Sequence, residues 1–450
     1  MTESAVKPKE AGVLKALIVI AIPIILGNVL ESFMEIVDMH FIGTLGELSM
    51  AAGSTSISVI MLLMTVFMGL CIATAAFISR AHGMGVKDKI PSILGHTFII
   101  GVIVCIILAV VGIFFSKDIL LLVGHGNAAL AEEGVNYLMP QLVGSFIFLF
   151  ILVLTYAFQS VGDAITPMCV LIGVNILNAF LNPLLISICG LAGSSYAVLI
   201  ARGLGGLALL LLMYVMPKHK NDGLRFPRHF RWDCKLFSSL AKVAGPSAVQ
   251  SAIRNLGLLI MTAIIAIYGQ ASIAAYGICT RTDMIGLMIG MGIAQAVCIL
   301  VGQNLGAGNI RRVEITVRYA AALNAVVMIL IGVCFVVFAP HILGFFGAKG
   351  EELSIGLQWF ELIPFASILM GVAITFGFAM NGAGRTWPGM IAALAGQVII
   401  PIGVSAYCAA NGLPIIFVFG AVALGIVVNF IIDFAFYIQG GWKKQQIAME

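Results

Sequence analysis

The chain is a succession of roughly twelve long apolar runs separated by short polar connections. A helix needs about 20 mainly apolar residues to cross the hydrocarbon core of a bilayer. Of the 450 residues, 61% are hydrophobic and 10% are charged, which leaves almost nothing for a soluble domain. The sequence therefore predicts an all-α polytopic membrane protein, with spans near 14–42, 50–80, 92–116, 134–158, 164–189, 193–216, 237–267, 271–303, 314–339, 353–381, 387–410 and 413–440.

Basic residues mark one side of this protein. If the N-terminus is cytoplasmic and the spans alternate in direction, 19 of the 24 lysines and arginines fall at cytoplasmic ends, and only Lys117 and Lys349 fall outside. Lysine and arginine in short loops stay on the cytoplasmic side. We therefore expect a protein of the plasma (inner) membrane with both termini in the cytoplasm. This placement explains the net charge of +4 without a nucleic-acid partner.

The longest polar segment, residues 218–235, divides the chain almost equally, and the two halves repeat. A shift of 223 residues aligns Pro23 with Pro246, Gly46 with Gly269, Ala51-Ala52 with Ala274-Ala275, Gly69 with Gly292, Gly83 with Gly306 and Gly85 with Gly308. An even number of spans lets both repeats insert the same way round. The sequence predicts twelve transmembrane helices in two pseudo-symmetric six-helix lobes, an N-lobe over 1–217 and a C-lobe over 237–450, with a cytoplasmic linker at 218–236.

Pro23 and Pro246 lie in the first helix of each predicted lobe. Proline removes a backbone hydrogen bond and bends a helix. A bent helix beside a cleft can change shape, but prolines are also tolerated in static membrane helices. The two interpretations of these residues are therefore gating and a fixed bend.

Four segments of the chain are distinctive: PIILGNVLESFMEIVDMHFIGTLGELSMAA, AAYGICTRTDMIGLMIGMGIAQAVCILVGQNLGAGN, and the turns FQSVGDAITPM and MNGAGRTWPGM. These segments resemble the multidrug and toxic compound extrusion (MATE) family of the MOP superfamily. The resemblance covers essentially the whole chain. It implies two six-helix lobes, a central cleft, and antiport by alternating access. In such antiport, bulky amphipathic, often cationic, drugs leave against entry of protons or sodium ions.

Other functions fit the motifs less well. The chain has no glycine-rich phosphate loop and no H-E-x-x-H, G-x-S-x-G or aspartate-rich diphosphate motif, which argues against ATP-driven transport and against a membrane-embedded transferase or other enzyme. A lipid-linked saccharide flippase of the related fold is the second alternative, and it would favour a strongly basic cleft. The nine cysteines are scattered singly, so we expect no metal site and no cofactor besides the coupling ion.

Six acidic residues lie in the interior of predicted spans, where a carboxylate costs about 3 kcal/mol on insertion scales. Three of them share one stripe of the first helix, because offsets of four and seven residues return to the same face. Such a stripe must face a polar interior or a water-filled cavity. Ionising the second of two close carboxylates costs more than ionising the first, so the stripe could hold a proton. The stripe consists of Glu31, Glu35 and Asp38, and the other acids are Asp283, Glu361 and Asp433.

The resemblance implies roles for some of these positions. Asp38 matches the family's functional aspartate, which is implicated in cation coupling; a structural hydrogen-bonding role is the alternative. Asn178 and Asn182 match an Asn-x-x-x-Asp pair that works with it, although Asn182 stands where an aspartate is expected. Val198 stands where many relatives carry threonine. Alkali cations prefer several oxygens, including negative ones, so the loss of a charge and a hydroxyl favours protons over sodium. Glu35 on the first helix is the candidate to replace the missing charge.

Polar residues of the second repeat complete the candidates. Glu31 aligns with Arg254, so one hypothesis is a charge pair that bridges the lobes; the alternative is a partner for each within its own lobe. Gln250 and Arg254 occupy the seventh span, where some relatives bind sodium through an acid, so we expect that sodium site to be absent. Arg281 and Asp283 are further candidates, with charge neutralisation as their structural interpretation.

Methionines recur at helical spacing in the eighth span, at Met284, Met288 and Met291. Methionine surfaces adapt to varied apolar ligands, although methionine is also ordinary filler. From the repeat, the acids and the family motifs together, we expect small drug-like molecules as partners, and we expect a monomer in the lipid bilayer.

Overall fold

The computed structural model describes residues 7–124, 126–216, 223–226 and 230–444. Within these ranges the chain is helical, with no strand. Short 3-10 turns occupy Lys87–Lys89 and Gly441–Lys444. The helices are α1 (Lys7–Gly43), α2 (Glu47–Gly83), α3 (Ile90–Val123), α4 (Ala128–Val143), α5 (Ser145–Ser160), α6 (Ile165–Cys189), α7 (Leu191–Val215), α8 (Cys234–Ala266), α9 (Gln270–Gly306), α10 (Ile310–Phe345), α11 (Glu351–Gly382), α12 (Trp387–Ala410) and α13 (Ile415–Gln439).

Eleven of the helices in the described ranges are long and apolar enough to cross a membrane, and α4 with α5 makes a twelfth, bent span. The twelve predicted spans are therefore confirmed. The helices continue past the predicted windows, as in α2, which has 37 residues. The reason is that an apolar window marks the hydrocarbon core, whereas the helix extends into the interfacial region.

The predicted span 134–158 is formed by two helices, because the chain bends by 50° between α4 and α5. Pro140 lies one turn before the break, and the Gly144 N–H donates to the Pro140 carbonyl at 2.8 Å. A methyl group at position 144 would lie 2.7 Å from the Leu199 side chain on α7. Glycine therefore lets the bent span approach α7 closely.

The sequence repeat reappears in the backbone. Helices α2 and α9 both have 37 residues, and each begins directly after a glycine with positive φ, Gly46 at 109° and Gly269 at 102°. Each is followed by a second such glycine, Gly85 at 75° and Gly308 at 72°. Because L side chains rarely adopt positive φ, the same backbone conformation favours glycine at these aligned positions in both repeats.

The helices pack into two compact units. The first unit runs from Leu26 to Ala248, and the second unit comprises the described residues up to Ile25 and those from Val249 onward. The chain therefore changes unit within α1 and again within α8. These two crossing points are also separated by the repeat shift of 223 residues. Each repeat contributes the beginning of its first helix to the unit formed mainly by the other repeat.

Pro23 and Pro246 lie inside α1 and α8, two residues before the crossing points. Proline is a common cause of helix bending. The positions predicted for bends thus coincide with the places where the first helices pass between units. The predicted lobes, 1–217 and 237–450, describe the sequence repeat and stay a prediction.

Two aligned glycines show why these helix segments pack where they do. In the first unit, a methyl group at Gly69 of α2 would lie 2.4 Å from the Ala244 carbonyl oxygen and 2.5 Å from the Ala248 nitrogen of α8. In the second unit, a methyl group at Gly292 of α9 would lie 2.5 Å from the Ile25 side chain of α1. Both glycines therefore permit close backbone approach by the first helix of the other repeat.

Helix α12 contains one π-helical segment, Leu394–Ile399. Its backbone lies against two neighbours: a methyl group at Gly396 would be 2.6 Å from the Gly425 carbonyl of α13, and one at Gly257 of α8 would be 2.7 Å from the Gln397 carbonyl. Single π turns inside α-helices often occur at functional sites. This segment also lines the cavity of the second unit.

Candidate functional site

Asp38 forms the centre of a polar cluster in the first unit. Its side chain is buried on α1, and Oδ1 accepts hydrogen bonds from Asn178 Nδ2 at 2.7 Å and Asn182 Nδ2 at 2.5 Å. The two asparagines lie one turn apart on α6, so both amides reach the same carboxylate. The structure therefore brings together the aspartate and both asparagines that the sequence singled out.

The Asp38 cluster also contains oxygen atoms without partners. The Oδ1 atoms of Asn178 and Asn182 are buried, and neither accepts a hydrogen bond from another described residue. Buried polar atoms are usually paired. Val198, at the expected threonine position, is buried on α7 and supplies no oxygen. The cluster therefore offers one carboxylate and two neutral amide oxygens.

Glu35 and Glu31 continue along α1 from Asp38. Glu35 is exposed, and it lies close enough to Glu31, Arg202 and Asp38 to interact with all three charges. Glu31 forms an ion pair with Arg202 of α7 at 3.1 Å. The Arg202 guanidinium also lies 4.7 Å from the centre of the Phe148 ring, in a cation–π contact.

Glu31 therefore has a partner within its own repeat, as one of the two sequence-based alternatives expected. Its pairing with Arg254 stays a prediction. Arg202 is the functional candidate that the sequence reasoning did not single out. Its position as a lone arginine inside the apolar run of α7 could have indicated Arg202, because an intramembrane charge needs a partner.

The candidates of the second repeat lie in the second unit. Arg254 of α8 donates through Nη1 to the Met291 sulfur at 3.6 Å, and its buried Nε has no partner among the described residues. Asp283 of α9 accepts at Oδ2 from the indole N–H of Trp359 at 2.8 Å. Gln250 lies beside Gly389, and Arg281 is exposed.

The remaining acids of the spans differ in environment. Glu361 is exposed on α11, whereas Asp433 is buried on α13, and its Oδ1 has no hydrogen-bond partner among the described residues. Over the same residues, no group of three or more His, Cys, Asp or Glu side chains is arranged to hold a metal ion.

A family model described as MatE matches the chain twice, over residues 23–184 and 246–406. Together the matches cover well over half of the chain, and their starting points, Pro23 and Pro246, are those of the internal repeat. The chain belongs to the MatE family. MatE proteins are transporters, so the enzyme alternative is excluded, and the resemblance first read from the motifs is confirmed.

Curated relatives match almost end to end. The chain is 26% identical to the probable multidrug resistance protein YoeA of Bacillus subtilis, covering 98% of this chain and 96% of that one. It is 23% identical to a protein named FAD transporter from Shewanella oneidensis, with 87% of each chain covered.

A solved structure supports the fold. A mutant of the Vibrio cholerae MATE transporter VcmN superposes with a TM-score of 0.89 at 20% identity, covering 97% of this chain and 100% of that one. At this identity the likeness concerns the fold alone. The predicted fold class, an all-α membrane protein with twelve spans in the two-lobe MatE arrangement, is confirmed.

Proposed function

We propose that this MatE protein exports bulky amphipathic, often cationic, compounds and that entry of a cation drives the export. Its relatives named as multidrug resistance proteins support the substrate class. The observation that carries the coupling is the Asp38 cluster: a buried carboxylate within a membrane span, held by two amides, with Glu35 close by. Intramembrane carboxylates of this kind commonly serve ion or proton pathways.

A proton is the favoured coupling ion. Protonation of Asp38 would neutralise a charge that the two amide N–H groups otherwise stabilise, and would change the hydrogen bonds that join α1 to α6. A sodium ion would instead need several oxygen ligands, including negative ones. The cluster holds only one carboxylate, because Asn182 and Val198 supply neither the charge nor the hydroxyl expected in relatives. Glu35 is the candidate for a second charge.

The movement would follow an alternating-access scheme. We assign bending of α1 and α8 to Pro23 and Pro246, because both lie just before the points where these helices change unit. The distribution of basic residues supports a cytoplasmic position for both termini. We propose that the protein acts as a monomer in the plasma (inner) membrane.

The test is transport of a fluorescent cationic dye into everted vesicles, the direction that corresponds to export from the cell, under separate proton and sodium gradients. The wild-type protein should export the dye under the proton gradient, and Asp38→Asn should abolish that dependence. Glu361→Gln makes the same acid-to-amide change at an exposed intramembrane position, so it should export normally. Efflux that responds to neither gradient would contradict antiport, and full coupled efflux by Asp38→Asn would contradict the role of Asp38.

A further inference from the structure

The second unit contains a cavity of about 370 Å³ between its helices. This volume lies within the range of small-molecule pockets. Aromatic walls come from Tyr276, Phe335 and Trp359, and the π-helical segment contributes Gly396 and Gln397. Six methionines complete the largely apolar lining: Met261, Met284, Met288, Met291, Met328 and Met370.

Two opposite charges line this apolar cavity, Arg254 and Asp283. Neither forms an ion pair with another residue that the structure describes. Among the described residues, the best acceptor for the Arg254 guanidinium is the Met291 thioether, which is weak, and the buried Nε has no partner. Within the part of the chain that the structure describes, Asp283 accepts a hydrogen bond only from the Trp359 indole N–H.

Charges in apolar surroundings are costly unless they are paired and hydrogen-bonded. A guanidinium forms its strongest contacts with a carboxylate or phosphate oxygen, and a carboxylate forms its strongest with a protonated amine or guanidinium. A ligand with one charge of each sign would therefore satisfy both residues at once. A purely cationic ligand would leave the Arg254 charge unpaired.

The other side chains that line the cavity determine the rest of the ligand. Methionine side chains are flexible and polarizable, and they make favourable sulfur contacts with aromatic rings. The faces of Tyr276 and Trp359 suit planar rings, although these two also pack edge to face on each other at 5.3 Å. The lining therefore selects an apolar, ring-containing body without fixing its exact shape.

We infer that this cavity binds zwitterionic amphipathic molecules, with their anionic group on Arg254, their cationic group on Asp283 and an aromatic body among the methionines. As a statement about the transported substrate, the inference rests on the proposed function. As a statement about binding, it stands separately, because ligand binding to the purified protein needs no ion gradient and no coupling through Asp38.

The experiment measures binding to the purified full-length protein in nanodiscs of anionic lipid, by quenching of tryptophan fluorescence. The probes are four compounds built on one aromatic ring system: zwitterionic, cationic, anionic and uncharged. The zwitterion should bind about tenfold more tightly than either singly charged probe, as expected for a charge-assisted contact at each end. Trp359→Phe should remove most of the quenching, which assigns the signal to this cavity.

Variants separate the two ends. Arg254→Gln should remove the preference for the zwitterion over the cation, whereas Arg254→Lys should keep it. Asp283→Asn should remove the preference over the anion. The matched controls are Arg318→Gln and Glu361→Gln, which neutralise exposed charges of the same unit outside the cavity. Equal binding of zwitterion and cation by the wild-type protein, or equal loss of all four probes in both cavity variants, would overturn the inference.

A final arm distinguishes a soluble zwitterion from a lipid headgroup. A short-chain phosphatidylcholine, added below its micellar concentration, should compete more weakly than the unlabelled zwitterionic ring compound. Competition at equal or higher affinity would assign the cavity to lipid and overturn its assignment to amphipathic cargo. Intact binding with no gradient-driven efflux would refute the proposed transport function while leaving the binding site in place.

Discussion

The Glu31 carboxylate on α1 lies 3.1 Å from the Arg202 guanidinium on α7, within the first unit. Charge reversal tests this pair. Glu31→Arg should lower the yield of folded protein and the thermal midpoint, because it places two cations together. Adding Arg202→Glu should restore much of both. The side chains are 46% and 26% exposed, so a double-mutant cycle should give a coupling of about 0.5–1 kcal/mol.

The same starting variant distinguishes the two partners considered for Glu31. The double variant Glu31→Arg with Arg254→Glu is compared with the double variant Glu31→Arg with Arg202→Glu. Rescue by Arg202→Glu alone supports the pair within the first unit. Recovery of efflux by Arg254→Glu instead would favour the pair that bridges the repeats.

A second prediction concerns the neutral member of the Asp38 cluster. Asn182→Asp should make efflux respond more strongly to a sodium gradient, because it adds a negative oxygen beside Asp38. Repulsion between the two carboxylates would also favour a bound cation. Dye efflux at fixed pH, with sodium varied against potassium, measures the change. Val198→Thr, which adds only a hydroxyl, should have a smaller effect, and unchanged sodium dependence in Asn182→Asp would contradict this account.

A third prediction follows from the close approach of helices at the aligned glycines. Gly69→Ala should destabilise the protein by about 1–3 kcal/mol, because the added methyl meets backbone atoms of α8 that cannot move aside. Gly292→Ala should cost less, because its nearest contact is the Ile25 side chain. Thermal unfolding in detergent measures both changes.

Gly277 provides the control for these glycines, because it is helical and has open space where a methyl group would be added. Gly277→Ala should stabilise α9 by about 0.5–1 kcal/mol. If Gly69→Ala were as well tolerated as Gly277→Ala, the close contact with α8 would be wrong.

The fourth prediction concerns the start of α8, outside the membrane span. Asp233 Oδ1 accepts from the backbone N–H groups of Leu236 and Lys235, which lowers the pKa of Asp233 below its ordinary value of 3.8. The ionised cap therefore stabilises the fold above the ordinary pKa, and this stability is lost as the pH falls through the lowered value. Asp233→Ala should cost about 0.5–2 kcal/mol at pH 7.

Asp233→Asn is the matched variant, because an asparagine oxygen still accepts from the helix while it cannot ionise. It should retain most of the stability at pH 7 and lose its pH dependence below about pH 4. Thermal midpoints at pH 7 and near pH 3.5 measure this. An equal loss for the alanine and asparagine variants at pH 7 would show that the side chain does not cap α8.

The sequence alone could predict the spans and the repeat, and the resemblance to the MATE family implied the members of the Asp38 cluster. Composition identifies membrane helices, and helical periodicity places Glu31 and Asp38 on one stripe. It could not identify Arg202 as the partner of Glu31, because that residue is 171 positions away and reaches Glu31 only through the packing of α7 on α1. The sequence did not indicate the bend between α4 and α5 for a similar reason. A run of apolar residues does not show where Gly144 lets α7 approach the bent span.

The cavity of the second unit could also be predicted only in part from the sequence. Spacing along α9 indicated Met284, Met288 and Met291, but the opposing Trp359 and Met370 come from α11. Because the residues of α9 and α11 are far apart along the chain, the sequence does not show that they line the same cavity. The roles of Asp38, Glu35, Asn178 and Asn182 in ion coupling stay predictions.

Each repeat contributes the beginning of its first helix to the other unit, and this affects a protein that is divided between α7 and α8. The unit of residues 26–248 includes the beginning of α8, and the other unit includes the beginning of α1. A polypeptide that ended after α7 would thus lack the segment that fills the groove at Gly69. Conversely, a chain cut between α7 and α8 would still hold its fragments together, because each would carry a helix segment that completes the other.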